Sequence, residues 1–244
     1  MLLQDKTAIV YGAAGPVGTA VAGAFAREGA RVVLAGRTQQ ALAKVADQIR
    51  SAGGAAQTAV VDVTDAAAMR AHAAEAAAAS GGIDIAFNAT SNDDRQGIPL
   101  LDMDLSDFGR PVSKAIAAHF TIATVTARHM LSRGGVILAM GGGREAVPLL
   151  GGSHVAWSAL AGLCRQLAAE LGPRGIRVAW LLSPGSPDPV DVTPGDGDPL
   201  ADGTLIGRRP SYQEVANAAV FAASDWAATM TAAEINLTGG AVID

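Results

Sequence analysis

The sequence predicts a single-domain α/β fold, with a doubly wound, mostly parallel seven-stranded sheet and helices on both faces. Short apolar runs rich in β-branched residues alternate with alanine-rich stretches of helical period, which is the pattern of repeated βαβ units. The 244 residues, of which 50% are hydrophobic, are enough for one sizeable core. We find no internal repeat and no domain linker, so one domain is expected to span residues 1–244.

The alternation divides the chain into strands and helices in a regular order. β-Branched and other apolar residues cluster in the strands, which are predicted at residues 7–11, 31–35, 57–61, 84–88, 136–140, 177–182 and 234–237. Alanine and leucine recur at helical spacing in the main helices, which are predicted at residues 16–27, 39–52, 65–79, 107–131, 153–171 and 212–224. In a sheet of this kind we expect ligands at the carboxyl ends of the strands.

One segment interrupts the alternation. Residues 184–203, PGSPDPVDVTPGDGDPLADG, are rich in proline, glycine and aspartate. These residue types favour turns over regular structure, and a loop of this length inside a compact domain is usually a lid or a flexible segment. We therefore expect a lid or flexible loop with little regular structure at 184–203.

Charge and cysteine content exclude several classes of function. The net charge is −5 and the basic residues are scattered, so the chain has no basic stripe for nucleic acid or for an anionic membrane surface. The first residues do not have the pattern of a secretory signal, and no apolar run suggests a membrane span, so we expect a cytoplasmic protein. Cys164 is the only cysteine and is predicted to be a buried structural thiol, and no histidine pair has metal-ligand spacing; we therefore expect no metal.

A glycine-rich turn, IVYGAAGPVG at residues 9–18, joins the first predicted strand to the first helix. Gly12, Gly15 and Gly18 let the backbone approach a pyrophosphate, whose negative charge the helix N-terminus favours; the alternative is a purely structural turn. The second strand ends in Gly36 and Arg37, which offer room and positive charge for a 2′-phosphate. This favours NADP(H) over NAD(H), the alternative being a solvated surface arginine.

These motifs, in this order, resemble the short-chain dehydrogenase/reductase superfamily over nearly the whole chain. Besides the glycine turn, the resemblance rests on VVDVTD at 60–65, IDIAFNAT at 83–90, GLCRQLAAELGPRGIRVAWLLSPG at 162–185 and RRPSYQEVANAAVFAASD at 208–225. The resemblance implies a Rossmann fold, a small-molecule substrate, and a homodimer or homotetramer assembled through the helices at 107–131 and 153–171.

The resemblance also implies a set of cofactor-binding residues. Asp62 and Val63 would border the adenine, although Asp62 reads equally well as the cap of a turn, and Asn88 would help to form the cofactor floor. The complete expected set is Gly12, Gly15, Pro16, Val17, Gly18, Arg37, Asp62, Val63, Asn88, Pro184 and Gly185. The site departs from the family pattern in three places, with Tyr11 at the usual threonine, Pro16 at the middle glycine, and Asn-Ala-Thr-Ser at 88–91.

The family's catalytic positions carry other residues in this chain. By resemblance, the asparagine, serine, tyrosine and lysine positions correspond to Ala115, Met140 (within a residue), Ser153 and Trp157. The family tyrosine transfers a proton and the lysine lowers its pKa, but neither of the two tyrosines in this chain has a lysine four residues later. A serine without a matched cation cannot supply the same proton transfer.

Few other residues can replace the missing acid and base. His154 is the candidate substitute for the missing acid and base. The alternative is an incidental or capping role, which His154 would share with Ser153. Lys114 is interpreted as a surface lysine. Trp157 is expected to close the nicotinamide half of the cleft, to stack on a ring bound there, or simply to pack in the core. Two charged groups could reach a ligand, although solvent exposure is the simpler interpretation; they are Arg144 with Glu145, and Asp93, Asp94 and Arg95.

Three function classes remain open. The first is an NADP(H)-dependent oxidoreductase with weak, altered or absent activity, in which His154 or water handles the proton. The second is a non-redox enzyme, such as an isomerase, dehydratase or cyclase, that uses the reshaped pocket. The third is a catalytically silent nucleotide-binding or structural partner. We favour a family-derived NADP(H)-binding protein with weak or altered catalysis, because a scaffold does not by itself establish chemistry.

Overall fold

Seven parallel strands form the centre of the fold, in a computed structural model that describes residues 1–183 and 199–243. The strands are β1 Thr7–Tyr11, β2 Arg31–Gly36, β3 Ala55–Val60, β4 Ile85–Asn88, β5 Gly135–Gly141, β6 Ile176–Leu182 and β7 Ala233–Asn236. They are arranged in the order β3-β2-β1-β4-β5-β6-β7. The order reverses between β1 and β4, which pair directly, so the sheet is doubly wound as predicted and a ligand crevice is expected beyond these two strands.

Helices cover both faces of the sheet. They are α1 Pro16–Arg27, α2 Gln39–Ser51, α3 Ala66–Ser80, α4 Leu105–Ala127, α5 Ser153–Leu171, α6 Pro199–Asp202 and α7 Tyr212–Ala223. Short 3-10 turns occur at Leu100–Asp102, Gly172–Arg174 and Asp225–Ala227. No helix in the described part of the chain is long and apolar enough to cross a bilayer.

Two hydrophobic clusters, one on each face, hold the helices to the sheet. The first cluster joins α1, α2 and α7 to one face through side chains such as Phe25, Leu42 and Val215. The second cluster joins α3, α4 and α5 to the other face and includes Ile122 and Cys164. Each fully buried aliphatic or aromatic side chain stabilises the fold by about 1.5–3 kcal/mol. Cys164 is buried, as the sequence predicts for a structural thiol.

Local capping explains where several helices begin. α1 starts with Pro16 at its first position, where the missing N–H has no intrahelical partner to lose. Asp65 caps α3 by accepting hydrogen bonds from Ala67 and Ala68 N–H. Ser211 and Glu214 form a reciprocal capping box at the start of α7.

The structure corrects some of the predicted boundaries. β3 begins at residue 55 instead of 57, and α4 spans residues 105–127 instead of 107–131, because residues just after Ala127 form turns. The expectation of a loop at 184–203 is wrong for Pro199–Asp202, which form the short helix α6. Residues 184–198, the first part of this predicted loop, lie outside the described residues. Pro184 and Gly185 of the expected cofactor set are among them.

Candidate functional site

The turn between β1 and α1 is built around glycine. Gly12 has a φ of +76°, and a Cβ there would lie 2.5 Å from the carbonyl oxygen of Ala89 in the turn after β4. The N–H groups of Gly12 and Ala13 both donate to the Ala35 carbonyl, at 2.9 and 3.3 Å. Only a residue without a side chain can combine this backbone conformation with so close an approach.

The N-terminus of α1 fits a pyrophosphate group. The first N–H to donate back into the helix is that of Thr19, to the Gly15 carbonyl at 2.8 Å, so the N–H groups of Val17 and Gly18 precede the intrahelical hydrogen bonds. A Cβ at Gly18 would overlap the Gly12 carbonyl oxygen, which keeps the turn compact. Pro16 contributes no N–H. Two backbone donors and the positive end of the helix dipole are therefore available to a phosphate.

Charged residues follow β2 and β3 at the same edge of the sheet. Arg37 is exposed directly after β2, and Asp62 follows β3. The Asp62 carboxylate accepts hydrogen bonds from the Thr64 N–H and hydroxyl, at 2.9 and 2.7 Å, and so caps its own turn. These bonds, with smaller contributions from the positive charges of Arg37 and Lys114, lower the pKa of Asp62. Val63 packs against the second cluster.

The turn after β4 is held by Asn88. The buried Asn88 side chain accepts hydrogen bonds through Oδ1 from the N–H and the hydroxyl of Thr90, at 3.0 and 2.7 Å. The next residue, Ala89, donates its N–H to the Tyr11 carbonyl at 2.9 Å. Asn88 therefore orders the backbone that lies directly beside Gly12.

Tyr11 is not available as an acid. Its side chain is fully buried in the second cluster, with its ring perpendicular to that of His72 at a centroid distance of 5.8 Å. Within residues 1–183 and 199–243 its hydroxyl has no hydrogen-bond partner, and burial raises its pKa.

The charged segment after β4 is exposed, as the simpler interpretation of its sequence expects, and two of its side chains are also ion-paired to α4. Asp93 forms an ion pair with Lys114 on α4, and Arg95 forms one with Asp107 at the start of the same helix. The hydrogen bond from Lys114 lowers the pKa of Asp93. The Lys114 side chain is 20% exposed, so Lys114 lies at the surface but is held there by Asp93.

Ser153, the first residue of α5, is occupied by contacts within the protein. Its side chain is 0% exposed; the hydroxyl donates to Asp94 Oδ2 at 2.6 Å and accepts from Gln96 Nε2 at 3.2 Å. The N-cap of α5 is Gly152, and no side chain caps the helix, so a capping role for Ser153 or His154 is wrong. Instead, Ser153 ties the segment after β4 to the first turn of α5.

Trp157, one turn further along α5, lies against the segment that follows β5. A Cβ at Gly142 would lie 2.2 to 2.4 Å from Cε2, Cδ2 and Cζ2 of the Trp157 indole, so the ring packs directly against this glycine. Met140 packs against the first cluster, and Ala115 is buried. α5 therefore places an indole against the segment that follows β5.

The remaining candidates divide between the site and the sheet edge. His154 is half-buried, and its Nδ1 has no hydrogen-bond partner in the described part of the chain. Arg144 forms an ion pair with Glu234 on β7, which also accepts a hydrogen bond from Trp180 Nε1 at 2.9 Å. Arg144 is therefore held at the β7 edge, and Glu145 is exposed beside it. Across residues 1–183 and 199–243, no group of three metal-ligating side chains is assembled.

Sequence reasoning missed three residues of this region: Gln96, His119 and Gly142. Gln96 contacts Ser153, which is 57 positions away in the chain. His119 contacts Asn88 and Cys164, which are 31 and 45 positions away, and Gly142 carries no chemistry of its own. His119 is fully buried between Asn88 and Cys164, and burial lowers its pKa to about 4. No local pattern distinguishes these residues, because their roles come only from contacts between distant segments.

Replacing Gly142 by alanine is expected to displace the Trp157 indole. The new methyl group would overlap the ring, and such overpacking costs about 1–3 kcal/mol in the free energy of unfolding. The displacement should change tryptophan fluorescence emission. Gly143→Ala is the matched control, because nothing lies within 4 Å of a Cβ there. Equal effects of the two substitutions would contradict the contact between Gly142 and Trp157.

Comparisons with known proteins cover almost the whole chain. Residues 12–242 match a protein family described as enoyl-(acyl carrier protein) reductase. D-threitol dehydrogenase of Mycolicibacterium smegmatis is 32% identical, with 99% of this chain and 94% of the relative covered. For 7alpha-hydroxysteroid dehydrogenase of Escherichia coli the identity is 30%, with 98% and 95% covered.

Solved structures show the same likeness in three dimensions. A dehydrogenase/reductase from Sinorhizobium meliloti superimposes with a TM-score of 0.87 at 31% identity, with 99% of this chain and 96% of that chain covered. A 7 alpha-hydroxysteroid dehydrogenase, complexed with NADH and 7-oxo glycochenodeoxycholic acid, superimposes with a TM-score of 0.88 at 28% identity, again with 99% and 96% covered.

Proposed function

Because this chain belongs to the short-chain dehydrogenase/reductase family, we propose that it binds NADP(H) in the cleft beyond β1 and β4, with weak, altered or absent redox activity. By homology it is an oxidoreductase of that family. The observation that carries the proposal is the contrast between the two halves of the cleft. The nucleotide half is built as in a nucleotide-binding protein, whereas the proton-transfer half is not built for the family's chemistry.

The nucleotide half supports binding through named groups. The N–H groups of Val17 and Gly18 bind the pyrophosphate, Arg37 binds the 2′-phosphate, and the turn ordered by Asn88 forms the floor. A bound nicotinamide would supply hydride-transfer chemistry at this site. Arg37 at the end of β2, with no acidic residue beside it at 36–38, favours NADP(H) over NAD(H).

The proton-transfer half lacks an acid matched to a cation. The Ser153 hydroxyl is buried and satisfied by Asp94 and Gln96, so it has no free role toward a ligand. The Trp157 indole lies over Gly142, where it brings a flat apolar surface in place of a positive charge. Proton transfer therefore depends on His154 or on water, either of which is a weaker arrangement than a phenol next to an ammonium group.

A second candidate function is favoured by the same indole. If Trp157 closes the nicotinamide half of the cleft, the chain is a catalytically silent nucleotide-binding partner. We further infer a homodimer or homotetramer assembled through α4 and α5. These two helices pack together and leave Phe120 and Val155 exposed, at 52% and 40%.

Calorimetric titration with NADPH, NADP⁺, NADH and NAD⁺ tests the proposal, and NADPH is expected to bind most tightly. Arg37→Ala should weaken NADPH binding about 10- to 100-fold and leave NADH binding nearly unchanged, because it removes a charge-assisted contact to the 2′-phosphate alone. Arg128→Ala, at an exposed arginine beyond α4, is the control and should change neither affinity. Absence of binding by all four nucleotides would overturn the proposal.

Activity assays then separate the function classes. A substrate-dependent loss of the near-ultraviolet absorbance of NADPH identifies a redox enzyme. Turnover of a carbonyl or hydroxyl compound without net NADPH consumption identifies an isomerase, dehydratase or cyclase. Tight nucleotide binding without turnover of any compound in a broad panel of alcohols and ketones supports the silent partner.

A further inference from the structure

A buried chain of polar groups runs from α5 to the turn after β4, through His119 on α4. The His119 side chain is 0% exposed. Its Nε2 lies 3.4 Å from Cys164 Sγ, and its Nδ1 lies 3.4 Å from the Asn88 side-chain nitrogen. The helix that carries Ser153 and Trp157 is thus linked through the protein interior to the floor of the nucleotide cleft.

The partners of Asn88 determine which way its amide points. Its Oδ1 accepts from the Thr90 N–H at 3.0 Å, and a backbone N–H can only donate. The NH₂ group therefore faces His119, and because this group also can only donate, Nδ1 of His119 must be an acceptor. A charged imidazolium carries protons on both nitrogens and cannot accept there. The single imidazole proton is therefore on Nε2, directed at the Cys164 sulfur.

The turn that Asn88 holds is in direct contact with the glycine turn. The Ala89 N–H donates to the Tyr11 carbonyl at 2.9 Å, and the Ala89 carbonyl carbon lies 2.7 Å from the position of a Cβ on Gly12. A shift in the Asn88 side chain would release Thr90 and move this backbone against Gly12. The position of the Asn88 amide is therefore coupled to the shape of the turn that approaches the pyrophosphate.

We propose that His119 is a positioning residue for the nucleotide site, a neutral imidazole whose Nδ1 holds the Asn88 amide and whose Nε2–H is held by Cys164. The inference rests on the proposed function for what the turn binds, but the arrangement of protons is independent of it. Full burial favours the uncharged ring, which the arrangement requires. The role of His119 is thus to order the floor of the cleft without touching a ligand.

Two substitutions at position 119 separate positioning from space filling. Asparagine places its amide near the former Nδ1 and can still accept from Asn88, whereas glutamine places its amide near Nε2 and can still donate to Cys164. We expect His119→Asn to keep NADPH affinity within about twofold and His119→Gln to lose about five- to tenfold, the equivalent of one hydrogen bond. If His119 only fills space, His119→Gln should keep more NADPH affinity and more stability than His119→Asn, because glutamine is larger. That order, or equal losses in the two variants, would overturn the proposal.

Nitrogen NMR of the histidine-labelled full chain tests the proton arrangement without any nucleotide. We expect the His119 ring to be neutral at neutral pH, with a proton on Nε2 and none on Nδ1, and its signal is identified by its absence from His119→Asn. A proton on Nδ1, or a charged ring, would overturn the inference. If the wild-type chain binds no nucleotide, the proposed function fails, and the Thr90 amide signal replaces affinity as the readout. That signal should move in His119→Gln and stay close to its wild-type position in His119→Asn.

Discussion

Gly12→Ala is expected to abolish measurable NADPH binding and to lower the free energy of unfolding by about 3 kcal/mol. Two costs add at this position. Alanine at a φ of +76° is strained by the clash of its Cβ with its own backbone, and the same Cβ would lie 2.5 Å from the Ala89 carbonyl oxygen. Relief requires the glycine turn and the turn after β4 to separate, and this separation removes the close backbone approach that a pyrophosphate needs.

Urea unfolding and calorimetric titration with NADPH measure the two effects of Gly12→Ala. Gly23→Ala, within α1, is the matched control because its Cβ would lie 3.6 Å from the Arg27 side chain, in ordinary contact. Alanine inside a helix is more favourable than glycine by up to about 1 kcal/mol, so the control should be stabilised and should bind NADPH normally. A Gly12→Ala protein of wild-type stability would show that the two turns are not packed as described.

The second large effect is a loss of stability on mild acidification, caused by His119. Burial lowers the pKa of His119 to about 4 in the folded state, from 6.5 for an unperturbed histidine. Between these values the unfolded chain binds the proton and the folded chain does not, so stability is fully present above about pH 6.5 and decreases as the pH falls toward 4. The difference between the two pKa values corresponds to roughly 3 kcal/mol of the free energy of unfolding, which is lost between about pH 6.5 and pH 4.

Urea unfolding of wild type and His119→Asn at a series of pH values between about 7 and 5 measures this term. The wild type should lose stability more steeply than the variant, because asparagine does not titrate. The difference in slope between the wild type and His119→Asn isolates the contribution of His119. Carboxylates such as Glu214, whose pKa is lowered to about 2 by Arg208, contribute equally to both proteins. His129→Gln, just beyond the end of α4, should keep the wild-type slope; loss of the slope in that variant would assign the effect to the wrong histidine.

Much of the fold could be predicted because its signals are local. The strand at Thr7–Tyr11 and the helices Pro16–Arg27 and Ser153–Leu171 begin and end where apolar periodicity, proline and glycine indicate. Predicted boundaries differ most where no such signal exists, as at the end of α4. The glycine turn could also be predicted, since its residues are contiguous and the need for glycine follows from the tight geometry between strand and helix.

The roles of the polar residues around the cleft could not be predicted in the same way. Asp94 and Ser153 are 59 positions apart, and nothing near either residue indicates that they are hydrogen-bonded. The interpretation of Lys114 as a surface lysine rests on its position on the helix, which says nothing about Asp93, because Asp93 approaches from a different segment. In each case the partner is brought in by the path of a loop, which sequence periodicity does not describe.

The amino-acid sequence by itself determined the doubly wound sheet, the glycine turn, Arg37 at the end of the second strand, and the absence of a tyrosine and lysine four residues apart. These features depend on residue type and on spacing along the chain, which are local properties. Only the tertiary structure decided that Ser153 is bonded to Asp94, that Trp157 rests on Gly142, and that His119 joins Cys164 to Asn88. The physical reason is that hydrogen bonding and burial depend on which distant segments the packed core brings together, and a buried polar group is tolerated only where such a partner arrives.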